Sequence, residues 1–117
     1  MATVLMVEDE PVIRALVSEE LIDAGFDVLV VGNADEAVAV LEARTDIRLV
    51  FTDIDMPGSM DGLKLAVAVR HRWPPIHLII TSGKKRPTEM PSEALFIPKP
   101  YIGRVVVDAM RTFENMR

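Results

Sequence analysis

The sequence predicts one α/β domain built on a parallel sheet. Its 117 residues, its balance of 50% hydrophobic and 26% charged residues, and its alternation of short apolar runs with longer helical patterns all point there. A chain of this length buries a substantial core as one unit, and the composition argues against disorder. Short strands separated by helix-length segments are the pattern of βα units whose strands pair in parallel.

The elements follow in order. Strands are expected at Thr3–Val7, Asp27–Val31, Leu49–Thr52, Ile76–Thr81 and Leu95–Pro98, all short and mostly rich in Val, Ile and Leu. Such continuous apolar runs suggest burial on both faces. Between the first two strands, Ile13, Leu16, Val17, Leu21 and Ile22 recur at helical spacing, with Pro11 near the start and Gly25 past the end. Asn33 followed by Glu36 resembles a capping arrangement for a second helix that ends near Arg44. A third helix runs from about Gly62 to Arg72 and stops at Trp73-Pro74-Pro75. The last helix carries an apolar stripe of Ile102, Val105, Val106, Ala109, Met110, Phe113 and Met116. One connection breaks the alternation. Pro87 and Pro91 interrupt Gly83 to Ala94, which has no apolar periodicity and reads as a loop with at most one helical turn.

Charge and composition exclude several classes of function. A net charge of -5 disfavours direct binding to nucleic acid, which depends on Lys and Arg neutralising phosphates. The clusters Arg70-His71-Arg72 and Lys84-Lys85-Arg86 read as solvated surface charge. With zero cysteines there is no disulfide framework, thiolate site or Cys nucleophile, so any chemistry uses oxygen or nitrogen groups. Ala2 to Val7 runs straight into Glu8-Asp9-Glu10, which is neither a signal peptide nor a membrane span, so cytoplasmic residence is the expectation. His71 and His77 lack partners at metal-binding spacing, and the methionines read as core filler. Residues 1–117 are expected to form one domain with no output domain attached.

The acidic residues carry the chemistry. Glu8 and Asp9 follow the first strand and Asp53 follows the third, at the carboxyl edge where open α/β sheets bind ligands. If those strands are neighbours, the carboxylates converge. Each pair at 4 Å repels by roughly 1 kcal/mol in water and about 4 at the effective dielectric near a protein surface, so the group calls for a cation. Hard oxygen ligands with room for water suit Mg2+. Thr81 and Lys99, at the ends of the fourth and fifth strands, reach the same edge, where a hydroxyl and an ammonium could bind phosphoryl oxygens.

The segments Val4-Leu5-Met6-Val7-Glu8-Asp9-Glu10, Thr52-Asp53-Ile54-Asp55-Met56-Pro57, Met60-Asp61-Gly62, Ile79-Ile80-Thr81-Ser82-Gly83 and Pro98-Lys99-Pro100-Tyr101 resemble the signature blocks of two-component response-regulator receivers, in order and across nearly the whole chain. The resemblance implies a flavodoxin-like (βα)5 fold, a doubly wound five-stranded parallel sheet of order 2-1-3-4-5, here with a loop or single turn in place of the family's fourth helix. It implies that Asp53 is the phosphoacceptor, Asp9 a direct Mg2+ ligand, Glu8 a partner acting through metal-bound water, and the Asp55 carbonyl a further ligand. Thr81 and Phe96 match the family's switch pair, Lys99 its lysine, and the bond before Pro100 is expected to be cis. The implied donor is a sensor histidine kinase, a histidine phosphotransfer protein or a small acyl phosphate. Output would pass to a downstream protein or by onward phosphotransfer, with the last helix the expected recognition surface, homodimerisation left open, and no turnover activity.

The sequence also departs from the family pattern. Gly58 and Ser59 both intervene where one residue is usual, beside the acceptor loop. Two other readings stay open: a haloacid-dehalogenase-like phosphatase, suggested by Asp53-Ile54-Asp55, and a pseudo-receiver that docks without phosphorylation. The first would turn over phosphate esters; the second would not label.

Overall fold

Parallel pairing of neighbouring βα units organises the chain, described here by a computed structural model over residues 2–56 and 61–114. In order the elements are β1 (Thr3–Val7), α1 (Pro11–Asp23), β2 (Asp27–Val31), α2 (Ala34–Ala43), β3 (Ile47–Asp53), α3 (Gly62–Arg72), β4 (His77–Ser82), β5 (Leu95–Pro98) and α4 (Gly103–Glu114). The sheet is parallel throughout, with strand order β2-β1-β3-β4-β5. That is the expected order. Gly58, Ser59 and Met116 lie outside the described residues.

Alternation along each central strand sorts its side chains into two layers. Leu5, Val7, Val50, Leu78 and Ile80 face α2 and α3, packing on Ala37, Leu41, Leu65 and Val69. Val4, Met6, Leu49, Phe51 and Ile79 face α1 and α4, packing on Val17, Leu21, Val106 and Met110. The pairing of β1 with β3 skips Arg48, since Thr3 lies opposite Ile47 and Val4 opposite Leu49. This irregularity puts Ile47 and Leu49 in opposite layers although they are two residues apart.

Burial on both faces holds for β1, β3 and β4, whereas β2 and β5, at the sheet's edges, are only partly covered. The helical stripes are narrower than their periodicity implies. In α1 only Val17 and Leu21 are buried, and Leu16 and Ile22 are exposed. In α4 the buried residues are Val106, Val107 and Met110, while Val105 and Ile102, just before the helix, face outward. One sheet face offers a helix a contact only a few residues wide, and the remaining apolar positions stay outside it.

The helix ends have local causes. Gly25 has φ 98°, which favours glycine; its N–H donates to Ile22 O and that of Phe26 to Leu21 O, closing α1 with a Schellman motif. Asn33 Oδ1 accepts from Glu36 N at 2.8 Å, and Glu36 Oε1 accepts from Gly32 N at 3.0 Å. Asp61 caps α3 by accepting from Lys64 N at 2.8 Å.

Between β4 and β5 the chain forms bends and a single turn, in which Ala94 N donates to Pro91 O; residues 83–94 contain no helix. Arg70, which the sequence suggests is solvated, braces this connection instead. Its guanidinium donates to Ser92 O at 3.1 Å, Pro74 O at 2.9 Å and Ile76 O at 3.0 Å. A run of adjacent basic residues says nothing about carbonyls brought close by the fold, so this role is invisible in the sequence. His77 stacks on Phe113 with ring centroids 4.7 Å apart.

Gly62 sets how closely α3 approaches the end of β3. A Cβ there would lie 2.0 Å from Asp53 O and 2.6 Å from Ile54 Cα, both backbone atoms that cannot swing aside. Gly62→Ala is therefore expected to destabilise the fold by about 1–3 kcal/mol, as overpacking does. Urea denaturation should show a lower midpoint than for an alanine placed at the open Gly83, where a Cβ meets nothing within 4 Å.

Candidate functional site

Neighbouring strands bring the acidic residues together. Because β1 pairs with β3, Val7 lies opposite Thr52, and the next residues, Glu8 and Asp53, meet at the carboxyl edge of the sheet. Ligand oxygens of Glu8, Asp9 and Asp53 all lie within 4.8 Å of one another. Glu8 and Asp53 are buried and Asp9 is exposed, so the group opens to solvent on one side.

Lys99 supplies the opposite charge. It follows β5, where its N–H donates to Ser82 O at 2.9 Å, and its Nζ lies 2.5 Å from Asp53 Oδ2 and 3.9 Å from Glu8 Oε1. Burial alone would lower the Lys99 pKa, but the hydrogen bond to Asp53 and the charges of Asp53, Glu8 and Asp55 outweigh it and raise the value. The Lys99–Pro100 peptide bond is cis.

Glu8 shows the penalty of the cluster most clearly. Burial, reinforced by the negative charges of Asp53 and Asp9, pushes its carboxyl up to about 7, against the opposing effects of the Glu10 N–H bond and Lys99. A single ammonium does not offset three carboxylates, two of them buried. The all-oxygen donor set, open on one side, fits a hard cation such as Mg2+ that retains water.

Asp55 is turned elsewhere. Its N–H donates to Asp53 Oδ1 at 2.8 Å, while its Oδ2 accepts from Ser82 Oγ at 2.7 Å and from Gly83 N at 3.0 Å. Any contribution of Asp55 to a cation would therefore come from its backbone, as the resemblance implies. Thr81 lies opposite Asp53 in the β3–β4 register and is fully buried, and its Oγ1 has no hydrogen-bond partner among the described residues. A hydroxyl left unpaired in this way is poised for an acceptor arriving beside Asp53. Phe96 is half-buried and packs against the α2–α3 layer.

Some features escaped sequence reasoning. Tyr101 packs edge-on against Phe51, with ring centroids 5.9 Å apart, and its buried hydroxyl also lacks a partner among the described residues. Burial, aided by Glu8 and Asp53, raises its pKa. Ser82 was quoted only as part of a motif. The signal that could have found its role is the parallel register: Asp53 opposite Thr81 sets Ser82, the last residue of β4, beside the chain that leaves β3 toward Asp55.

A doubly wound parallel sheet carrying an acidic cluster and a lysine at its carboxyl edge defines a small class of signalling domains. The profile of the response regulator receiver domain matches residues 4–98, and the chain belongs to that family. It is 36% identical over 112 residues to the response regulator protein FleR of Pseudomonas aeruginosa, covering 92% of this chain and 23% of FleR. It is 40% identical over 85 residues to the transcriptional regulatory protein AruR of the same organism, covering 69% of this chain and 34% of AruR. The chain thus spans about a quarter to a third of the length of these relatives, both of them regulators by name. Among solved structures, the response regulator TrrA of Thermotoga maritima, crystallised with Mg2+ and BeF, superposes with a TM-score of 0.87 at 27% identity, over 97% of this chain and 99% of TrrA. TrrA bound to the histidine kinase ThkA superposes with a TM-score of 0.83, also at 27% identity, over 97% of this chain and 98% of that one. Among the described residues, no helix is long and apolar enough to cross a membrane.

The Glu8 carboxyl generates a test. The folded state keeps this proton up to about pH 7, whereas the unfolded chain releases it near 4.5. This contribution to stability is fully present below pH 4.5 and is lost as pH rises through about 7. In EDTA, the denaturation midpoint should carry a component that falls across that window, and Glu8→Gln should flatten it. Adding Mg2+ at pH 8 should recover stability in the wild type by binding the ionised cluster.

Proposed function

We propose that the chain accepts a phosphoryl group on Asp53 in a Mg2+-dependent reaction and signals through the resulting change at its surface. The observation that carries this reading is the setting of Asp53: buried, with one carboxylate oxygen on Lys99 and its ligand oxygen grouped with those of Glu8 and Asp9.

In this reading an Asp53 oxygen attacks phosphorus in line as the donor's bond to phosphorus breaks, so the group passes whole onto the carboxylate. Lys99 then shifts its charge onto the phosphoryl oxygens, and the unpartnered Thr81 hydroxyl donates to one of them. Movement of Thr81 draws on Phe96, whose half-buried ring packs at the rim of the α2–α3 layer. Glu8, Asp9, Asp53 and the Asp55 carbonyl would hold Mg2+, which when bound neutralises charge on the carboxylates and the incoming phosphoryl group. The protein is then a stoichiometric acceptor.

The donor in this reading is a sensor histidine kinase, a histidine phosphotransfer protein or a small acyl phosphate. An open groove of about 860 Å³ beside Lys99, lined by Ile13, Leu16, Glu20, Tyr101 and Ile102, supports helix docking next to the acceptor. TrrA, solved both with Mg2+ and BeF and with the histidine kinase ThkA, lends support by likeness. Exposed Ile102 and Val105 favour the α4 side as a surface for a downstream protein. A cytoplasmic location belongs to the same reading and suits a chain without cysteine.

Intact-mass measurement after incubation with acetyl phosphate and Mg2+ tests the acceptor. One phosphoryl group should add to the wild type and none to Asp53→Asn, and EDTA should suppress the reaction. Labelling that survives Asp53→Asn would sink the assignment. Lys99→Ala should fold but bind beryllofluoride about 10- to 100-fold more weakly, the effect of losing one charge-assisted hydrogen bond; an unchanged titration would contradict its role.

A further inference from the structure

The contacts of the Asp55 side chain have no part in holding a cation or receiving a phosphoryl group. Asp55 Oδ2 accepts from both Ser82 Oγ and Gly83 N, and Ser82 Oγ itself accepts from Lys84 N at 3.0 Å. Asp55 N in turn donates to Asp53 Oδ1 at 2.8 Å. A continuous run of hydrogen bonds therefore joins the Asp53 carboxylate to the root of the β4–β5 connection. Arg70 pins the far end of that connection through Ser92 O, and no helix stiffens the residues between. Met90 and Ala94 pack on the α2–α3 layer, so the Asp55 contacts hold chiefly the start of the connection.

We propose that the contact of Asp55 with Ser82 and Gly83 is a clasp, closed while Asp53 is a bare carboxylate and opened when Asp53 carries a phosphoryl group, so that residues 83–85 are released in response. The proposal rests on Asp53 being the acceptor. A phosphoryl group adds roughly one to two negative charges at pH 7 together with strong acceptor oxygens. The Asp55 carboxylate is joined to Asp53 through its own N–H, and its charge reaches Lys99, so it lies within the electrostatic range of that change. Repulsion drives the Asp55 carboxylate outward, toward the solvent to which the residue is already exposed. That movement takes the acceptor oxygen away from Ser82 Oγ and Gly83 N and leaves both donors to solvent.

Ser82 and Asp55 act here as positioning residues, distinct from the Thr81–Phe96 pair. Thr81 is fully buried on the strand, whereas Gly83 and Lys84 are exposed and stay ordered through the clasp.

Amide hydrogen exchange by NMR on the full chain, with and without beryllofluoride and Mg2+, tests the proposal. In the free wild type the Gly83 and Lys84 amides should be protected, and beryllofluoride should speed their exchange about tenfold, the effect of one net hydrogen bond. Ser82→Ala should exchange at the faster rate without any mimic and change little when it is added. Asp55→Ala, at an exposed position, carries the same expectation should Ser82→Ala fold poorly. Asp55→Asn keeps an acceptor oxygen but loses the charge, and should hold Gly83 protected even with beryllofluoride bound. Unchanged Gly83 and Lys84 exchange in both Ser82→Ala and Asp55→Ala would overturn the clasp, as would full protection in beryllofluoride-bound wild type. Intact-mass labelling with acetyl phosphate separates the two readings: no labelling overturns the acceptor assignment, and labelling with unaltered exchange overturns the clasp alone.

Discussion

Three carboxylates cannot share a sheet edge unless something holds them there, and here the holding is done by β1–β3 pairing on one side and Lys99 on the other. Strand pairing fixes Glu8 and Asp53 as neighbours regardless of their repulsion, because the ladder and the buried runs Val4–Val7 and Leu49–Phe51 are far more extensive than the few atoms at its end. Lys99 then lies against Asp53 and within reach of Glu8. The remaining imbalance is recorded in the raised pKa of Glu8. The fold thus leaves the site electrostatically incomplete, with a donor set that fits a hard cation.

The same pairing explains why so much could be read in advance. Short apolar runs separated by helix-length segments gave the strand positions to within a residue or two, and the acidic residues at strand ends pointed to the edge where they meet. Helix faces were less legible. Periodicity marks Leu16, Ile22, Ile102 and Val105 as apolar, but it does not say how wide a strip the sheet covers, and these four remain outside it. Contacts between distant segments were not legible at all. Arg70 reaches Ser92 across twenty-two positions and Ser82 reaches Asp55 across twenty-seven, and no local pattern signals either. Gly62 could be recognised as part of a motif, but the close approach of Asp53 O that requires it appears only in three dimensions.

Replacing a helix by the 83–94 connection alters how the two ends of the sheet communicate. A helix carries its own hydrogen bonds and moves as a body, whereas this segment is held by contacts with other elements, through Arg70 of α3, Asp55 beyond β3 and the packing of Met90 and Ala94 on the core. Loops of this kind tolerate rearrangement at small energetic cost, and this one starts at Gly83, whose N–H already bonds the Asp55 carboxylate.

The irregular pairing at Arg48 bears on how this chain tolerates change in length. Side chains on a strand switch faces with every residue, so one residue gained or lost ahead of Asp53 would ordinarily turn its carboxylate away from Glu8. Here the odd residue sits at the start of β3, before the run from Leu49 to Thr52 locks onto Val4 to Val7. Slack is confined upstream, where Arg48 is exposed, and the phase of the strand is reset before the functional end begins. Insertions or deletions in the turn from α2 into β3 are thereby insulated from Asp53, which keeps its place beside Glu8 whatever happens upstream.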